Sequence, residues 1–212
     1  MLTYTKDKNN EEILLDSNNE QVMMEWEKPY MEACIDFLKP KGNVLEIGFG
    51  MGYSATAIQK YKPKSYTIVE CDPTVIKKCK KWSKNYDNVT IIEAKWQEVI
   101  CTNRLGIYDE VFFDDFPNNL ENVSPMQMFQ INNRIHLFIE FLNQYHLKLN
   151  SKISAYLCKG TSMYNDPTWK SKYIDNINWG YKEKIMDLNV SNTQNYHYSK
   201  TKAIIPLLIK KS

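Results

Sequence analysis

Val44-Leu45-Glu46-Ile47-Gly48-Phe49-Gly50-Met51-Gly52 decides the fold of this 212-residue chain. An apolar run carrying one acid reads as a buried strand, and the Gly-x-Gly-x-Gly that follows reads as a tight turn poor in side chains. A helix over 52–60 takes over at once. Strand, glycine turn and helix in that order form the ligand corner of an open α/β sheet, where glycine lets main chain come close to a ligand. Dinucleotide sites favour G-x-G-x-x-G. The form here suits an adenosine compound with no pyrophosphate to place on a helix N-terminus.

Outward from that turn, strands and helices alternate. Strands are expected at 43–47, 65–69, 89–92, 108–113 and 153–158, with helices at 74–84 and 126–142. A final strand pair at 182–188 and 202–209, joined across a polar 191–198 connection, reads as an antiparallel edge hairpin. Upstream, 21–38 has helical spacing and Pro40 stops it. Residues 1–20 are polar apart from Ile13-Leu14-Leu15 and are expected to form a partly ordered N-terminal arm before a single domain at 21–212. The expected fold is therefore α/β: a doubly wound, mostly parallel seven-stranded sheet with an antiparallel C-terminal edge hairpin.

Composition narrows the functions. Lys+Arg 27 against Asp+Glu 25 leaves +2, with the basic residues scattered, so no nucleic-acid footprint or anionic-membrane surface is expected. The N-terminus is polar and no apolar run reaches membrane-spanning length, which sets a cytoplasmic protein as the expectation. Five cysteines without C-x-x-C spacing, and only three histidines, make no metal pattern; reduced, mostly buried thiols are expected.

The carboxylates carry the chemistry. Glu46 precedes the turn, where it can steady the loop. Glu70 ends a strand about 20 residues past the glycines, the place where an acid takes ribose hydroxyls. Lys95 and Trp96 follow the third strand of the series, where an adenine ring can lie, although Trp96 reads equally well as a packed core aromatic. Tyr108 to Phe113 runs into Asp114-Asp115-Phe116-Pro117 at the carboxyl end of its strand. Two acids there make a negative cradle, which favours a cationic substrate. On the first helix, Met23, Glu27, Tyr30 and Met31 share one face at i, i+4, i+7 and i+8. A glutamate inside that apolar stripe needs a cationic partner.

Together these segments resemble the guanidinoacetate N-methyltransferase family. The similarity rests on Val22-Met23-Met24-Glu25-Trp26-Glu27-Lys28-Pro29-Tyr30-Met31, Gly48-Phe49-Gly50-Met51, Val69-Glu70-Cys71, Lys95-Trp96-Gln97-Glu98-Val99 and Phe113-Asp114-Asp115-Phe116-Pro117. The resemblance implies a Rossmann-like class I methyltransferase using S-adenosyl-L-methionine. It would methylate a small guanidino substrate, guanidinoacetate, to give creatine, as a monomer or homodimer. Glu27 and Asp114 would hold the guanidinium and act as catalytic residues, and main chain around Gly160, Thr161 and Ser162 would take the substrate carboxylate. Met23, Met31, Glu46, Gly48, Phe49, Gly50, Met51, Gly52, Tyr53, Ser54, Glu70, Lys95, Trp96 and Asp114 would line the cofactor site. The chain departs from the family pattern at Gly52 (alanine there), Asp115 (threonine), Met126 (histidine) and Leu149-Asn150-Ser151-Lys152 (Pro-Gly-Gly). Gly52 is shared with fungal protein arginine methyltransferases, so protein arginine is an alternative acceptor, and a catalytically inactive scaffold is another reading.

Overall fold

A computed structural model describes residues 1–115, 124, 126, 133–157, 159–188 and 201–212. Three N-terminal strands, β1 (Thr3–Lys6), β2 (Glu12–Leu15) and β3 (Gln21–Met24), precede the main sheet and form their own antiparallel sheet in the order β1-β2-β3. This differs from the expected arm and from a helix beginning at residue 21. The cause is a repeated turn, Asp-x-Asn-Asn-Glu. Asp7 Oδ1 accepts the N–H groups of Asn9 and Glu11, and Asp16 Oδ1 accepts those of Asn18 and Glu20. The second asparagine of each turn, Asn10 and Asn19, has positive φ, which asparagine tolerates better than most residues. Each turn reverses the chain, so the short apolar runs beside it pair as strands.

Helix α1 (Lys28–Leu38) begins late because Pro29 stands in its first turn, where a missing N–H costs nothing. It ends at Lys39, whose left-handed conformation closes the helix onto the Ile35 carbonyl. Then β4 (Asn43–Ile47), α2 (Tyr53–Lys60), β5 (Ser65–Glu70), α3 (Pro73–Ser83), β6 (Val89–Glu93), α4 (Trp96–Val99) and β7 (Tyr108–Phe113) alternate, followed by α5 (Arg134–Tyr145), β8 (Leu147–Ala155), β9 (Trp179–Asp187) and β10 (Lys202–Lys210). Residues 127–132 of the expected 126–142 helix, residues 191–198 of the polar connection, Cys158, Phe116 and Pro117 lie outside the described residues.

The seven strands run β6-β5-β4-β7-β8-β10-β9. The first five are parallel, and β10 is antiparallel to both of its neighbours. The expected hairpin forms, with β10 inserted between β8 and β9 rather than lying outermost. Strand β8 begins at Leu147, earlier than expected, because Asn150 takes positive φ and Ser151 Oγ donates to the Tyr108 carbonyl, carrying the pairing across an irregularity.

Alternation along the strands fills two cores. Leu45, Ile47, Val111 and Phe113 pack with Phe138, Ile139 and Leu142 of α5, whereas Val44 and Phe112 pack with Ile35 and Leu38 of α1 and Ile58 of α2. A sheet covered on both faces leaves its strand ends for binding. The chain leaves β4 toward β5 on one side and reaches β7 on the other, so the switch point lies at the carboxyl ends of β4 and β7.

Candidate functional site

Gly48 and Gly50 explain the turn after β4. Gly48 has φ +83°, and a Cβ there would collide with the Asp114 carbonyl. Gly50 has φ +50°, and its Cβ would stand 2.7 Å from Met23 Sδ. The main chain closes the turn further: Gly48 N–H donates to Val69 O at 2.9 Å, and Asp114 N–H donates to Ile47 O at 3.0 Å. Three strand ends therefore meet at one glycine.

Glu70 fastens the same turn from β5. Its Oε2 accepts Phe49 N–H at 2.9 Å, and its Oε1 accepts the N–H groups of Cys71 and Asp72 at 2.7 and 2.9 Å. The N-terminal sheet grips the turn from the other side. Met51 N–H points at Met23 Sδ at 3.3 Å, and Tyr4 Oη donates to Gly50 O at 2.6 Å. Tyr4 is the sole aromatic of the first 20 residues, but a lone tyrosine in a polar stretch carries no local signal of this bond.

Glu46 is fully buried below the turn, and the Tyr66 hydroxyl donates to its carboxylate. Burial pushes its carboxyl up to about 8, an effect that Ser54 and Tyr66 oppose through hydrogen bonds. Phe49, Met51 and Ser54 are buried; the Phe49 ring packs on Trp82 with centroids 5.5 Å apart. Tyr53 and Gly52 open α2, and Lys28 Nζ lies 5.9 Å from the Tyr53 ring centre.

Glu27 and Met31 are both buried at the start of α1. Met23 comes to them from β3 rather than from a shared helical face. Glu27 Oε1 accepts Met24 N–H at 2.9 Å, and one helical turn on, Tyr30 Oη donates to Ile204 O at 2.6 Å. That bond fixes α1 across the far half of the sheet. Cys34, a further turn along, feels the charge of Asp114.

Asp114 ends β7 beside the glycine turn and is partly buried. Desolvation is the main reason its carboxyl is pushed up to about 7; the Asp115 and Glu70 charges add to the shift and Arg134 opposes it. A carboxyl balanced near neutrality at the switch point can accept a proton and return it. Asp115 is tied to the indole of Trp96, whose Nε1 donates to Oδ2 at 2.9 Å. Trp96 is itself buried, edge-on to Phe138 at 5.2 Å, so it is a packed aromatic with its polar atom aimed at the acids. Lys95 caps α4 and is exposed.

Gly160, Thr161 and Ser162 lie in a loop after β8. Lys159 O accepts Ile204 N–H at 3.0 Å, and Met163 N–H donates to Glu183 Oε2 at 2.9 Å, so β10 and β9 hold the loop at both ends. Among the described residues, the N–H groups of Thr161 and Ser162 donate to nothing in the fold. Arg134 and Glu183 went unnoticed in the sequence, since each acts across a long stretch of chain. Of the described cysteines, Cys34 and Cys79 are buried and Cys71 and Cys101 exposed, all free. No described helix is long and apolar enough to cross a membrane.

A family model for guanidinoacetate N-methyltransferase matches residues 3–211. The chain is 39% identical over 134 residues to protein arginine N-methyltransferase 2 of Candida glabrata, covering 58% of this chain and 31% of that protein. To the protein of the same name from Yarrowia lipolytica it is 32% identical over 133 residues, covering 58% and 27%. The chain thus spans less than a third of the length of these relatives. Among solved structures, the O-methyltransferase TomG of Streptomyces achromogenes in complex with SAM superposes with a TM-score of 0.62 at 10% identity, covering 87% of this chain and 80% of that one. The N-methyltransferase NodS of Bradyrhizobium japonicum gives 0.59 at 11%, covering 88% and 97%. These two likenesses show a shared class I methyltransferase fold.

Proposed function

The chain belongs to the guanidinoacetate N-methyltransferase family, and from that premise we propose that it methylates a guanidino nitrogen of a small acceptor, guanidinoacetate, giving creatine. The methyl donor is S-adenosylmethionine, which when bound supplies an activated methyl group on a sulfonium. The chain's residues fit that donor. Gly48 and Gly50 let the turn close against Asp114 O and Met23 Sδ, Glu70 is oriented by main-chain N–H groups at the place of the ribose, and Lys95 and Trp96 flank the adenine side. Met23, Met31, Tyr53 and Ser54 complete the donor site.

The observation that carries the acceptor reading is a partly buried acid beside the turn, Asp114, balanced near neutrality, with the buried Glu27 at the start of α1. A guanidinium holds its proton until a pKa above about 12 and offers no free lone pair. Glu27 and Asp114 bind it as a planar fork and draw its charge toward one side. As the nitrogen–carbon bond forms and the methyl–sulfur bond breaks, leaving neutral S-adenosylhomocysteine, Asp114 takes the proton that the nitrogen loses. The N–H groups of Thr161 and Ser162 receive the acceptor's carboxylate. Only ionised Asp114 can do this, so kcat/KM, which reports the free enzyme, rises with pH through about 7.

A second reading, protein arginine as acceptor, is favoured by the relatives' names and by Gly52. One assay separates the two: labelled S-adenosylmethionine offered with guanidinoacetate, free arginine and arginine-containing peptides. Transfer to guanidinoacetate is expected. Transfer to peptides alone moves the acceptor to protein, and no transfer to any guanidine removes the catalytic reading in favour of a binding scaffold.

A further inference from the structure

The two acids after β7 are held in different ways. Asp114 is fixed through its main chain, with its N–H on Ile47 O and its carbonyl against Gly48. Asp115 is fixed through its side chain: Oδ2 accepts Trp96 Nε1 at 2.9 Å, and Arg134 Nε lies 3.8 Å from the same oxygen while donating to the Asp115 carbonyl at 3.0 Å. Trp96 is the first residue of α4 and Arg134 the first of α5. Three elements that are remote in sequence therefore converge on the residue next to Asp114.

We propose that Asp115 is a positioning residue that locks the Lys95–Trp96 loop to the strand end bearing Asp114, so that donor binding and placement of the reacting carboxylate are set together. This rests on the donor and acceptor reading above. The geometry supports it in two respects. A buried indole N–H needs an acceptor, and among the described residues the Asp115 carboxylate just past β7 supplies it. The ion pair with Arg134 also brings a cation to an acidic corner. The charged groups around Asp114 are Asp115 beside it, Arg134 from α5, Glu70 from β5 and Glu46 from β4, with the Cys34 thiol of α1 close enough to feel it. Asp115 and Glu70 hold the Asp114 carboxyl up, and Arg134 pulls it down.

Calorimetry with S-adenosylhomocysteine tests the lock. Asp115→Ala and Trp96→Phe each weaken binding about tenfold, the size of a charge-assisted hydrogen bond, and the double variant is no weaker than either single one. Independent effects that multiply to about a hundredfold overturn the proposal. Asp115→Asn keeps an oxygen for Trp96 and removes only charge. It binds donor within about threefold of wild type, and its acid limb of kcat/KM moves to lower pH by roughly half a unit or more. An acid limb left where it was means that the Asp115 carboxylate is not held close to Asp114, and this result also overturns the proposal. If wild type binds S-adenosylhomocysteine but methylates no guanidine, the acceptor reading falls and the calorimetric cycle still decides the role of Asp115. If it binds none, both fall.

Discussion

The donor and acceptor halves of the crevice are built by opposite means. The proposed donor half comes mainly from one continuous stretch, 44–54, closed by main-chain hydrogen bonds and by one acid, Glu70. The proposed acceptor half draws Glu27 from the start of α1, Asp114 from β7 and the 160–162 loop from beyond β8, and it relies on Glu183 and Ile204 to hold that loop. A site made of backbone is robust to side-chain change and intolerant of added bulk. A site made of remote side chains depends on everything that brings them together.

The sharpest way to break this contrast is Asp114→Asn. Turnover is expected to fall by roughly 10²–10⁴, the usual contribution of a positioned base, while donor affinity by calorimetry changes little because Asp114 meets the turn through its backbone. Full activity in a labelled-methyl assay removes Asp114 from the chemistry.

Gly48→Ala probes the donor half. It combines positive φ with a collision against Asp114 O, and an expected loss of about 2–4 kcal/mol in denaturant melts follows. Gly106→Ala, where a Cβ would meet nothing within 4 Å, is the control and stays within about 0.5 kcal/mol. Equal melts for the two variants contradict the backbone argument.

Glu70→Gln turns an all-acceptor group into one that also donates, so one of its three N–H partners is left facing an amide. The expected cost is about 1–3 kcal/mol in the same melts, with weaker donor binding by calorimetry. Retained stability and affinity together would show that the acid does not organise the turn. The smallest effect is that of Tyr4→Phe, which removes the bond to Gly50 O and costs about 0.5–1.5 kcal/mol. A larger fall in donor affinity than in stability would place the N-terminal sheet inside the donor site.

The same contrast explains what was legible before the fold was known. Apolar runs in 44–47, 66–69 and 110–113, with helices between the strands, announced a sheet covered on both faces, and the glycines announced its turn. The N-terminal sheet was not legible as such, because two Asp-x-Asn-Asn-Glu turns and short apolar runs read as a polar arm. Their meaning comes from hydrogen bonds made by Asp7 and Asp16, which periodicity does not register. The helical spacing of Met23, Glu27 and Tyr30 pointed to an earlier start for α1, whereas Pro29 stands in its actual first turn. Trp96 was balanced between core and ligand, and its 2.9 Å bond to Asp115 makes it a core residue aimed at the site.

Sequence alone determined the chain order of the seven main-sheet strands, the turn at Gly48–Gly52 and the acids that could do chemistry, because each depends on residues within a few positions of one another. Tertiary structure alone decided where β10 inserts, which acid Trp96 and Arg134 engage, and why Asp114 stands near neutrality. Those outcomes depend on desolvation and on charges brought together from distant parts of the chain, and neither has a local signature.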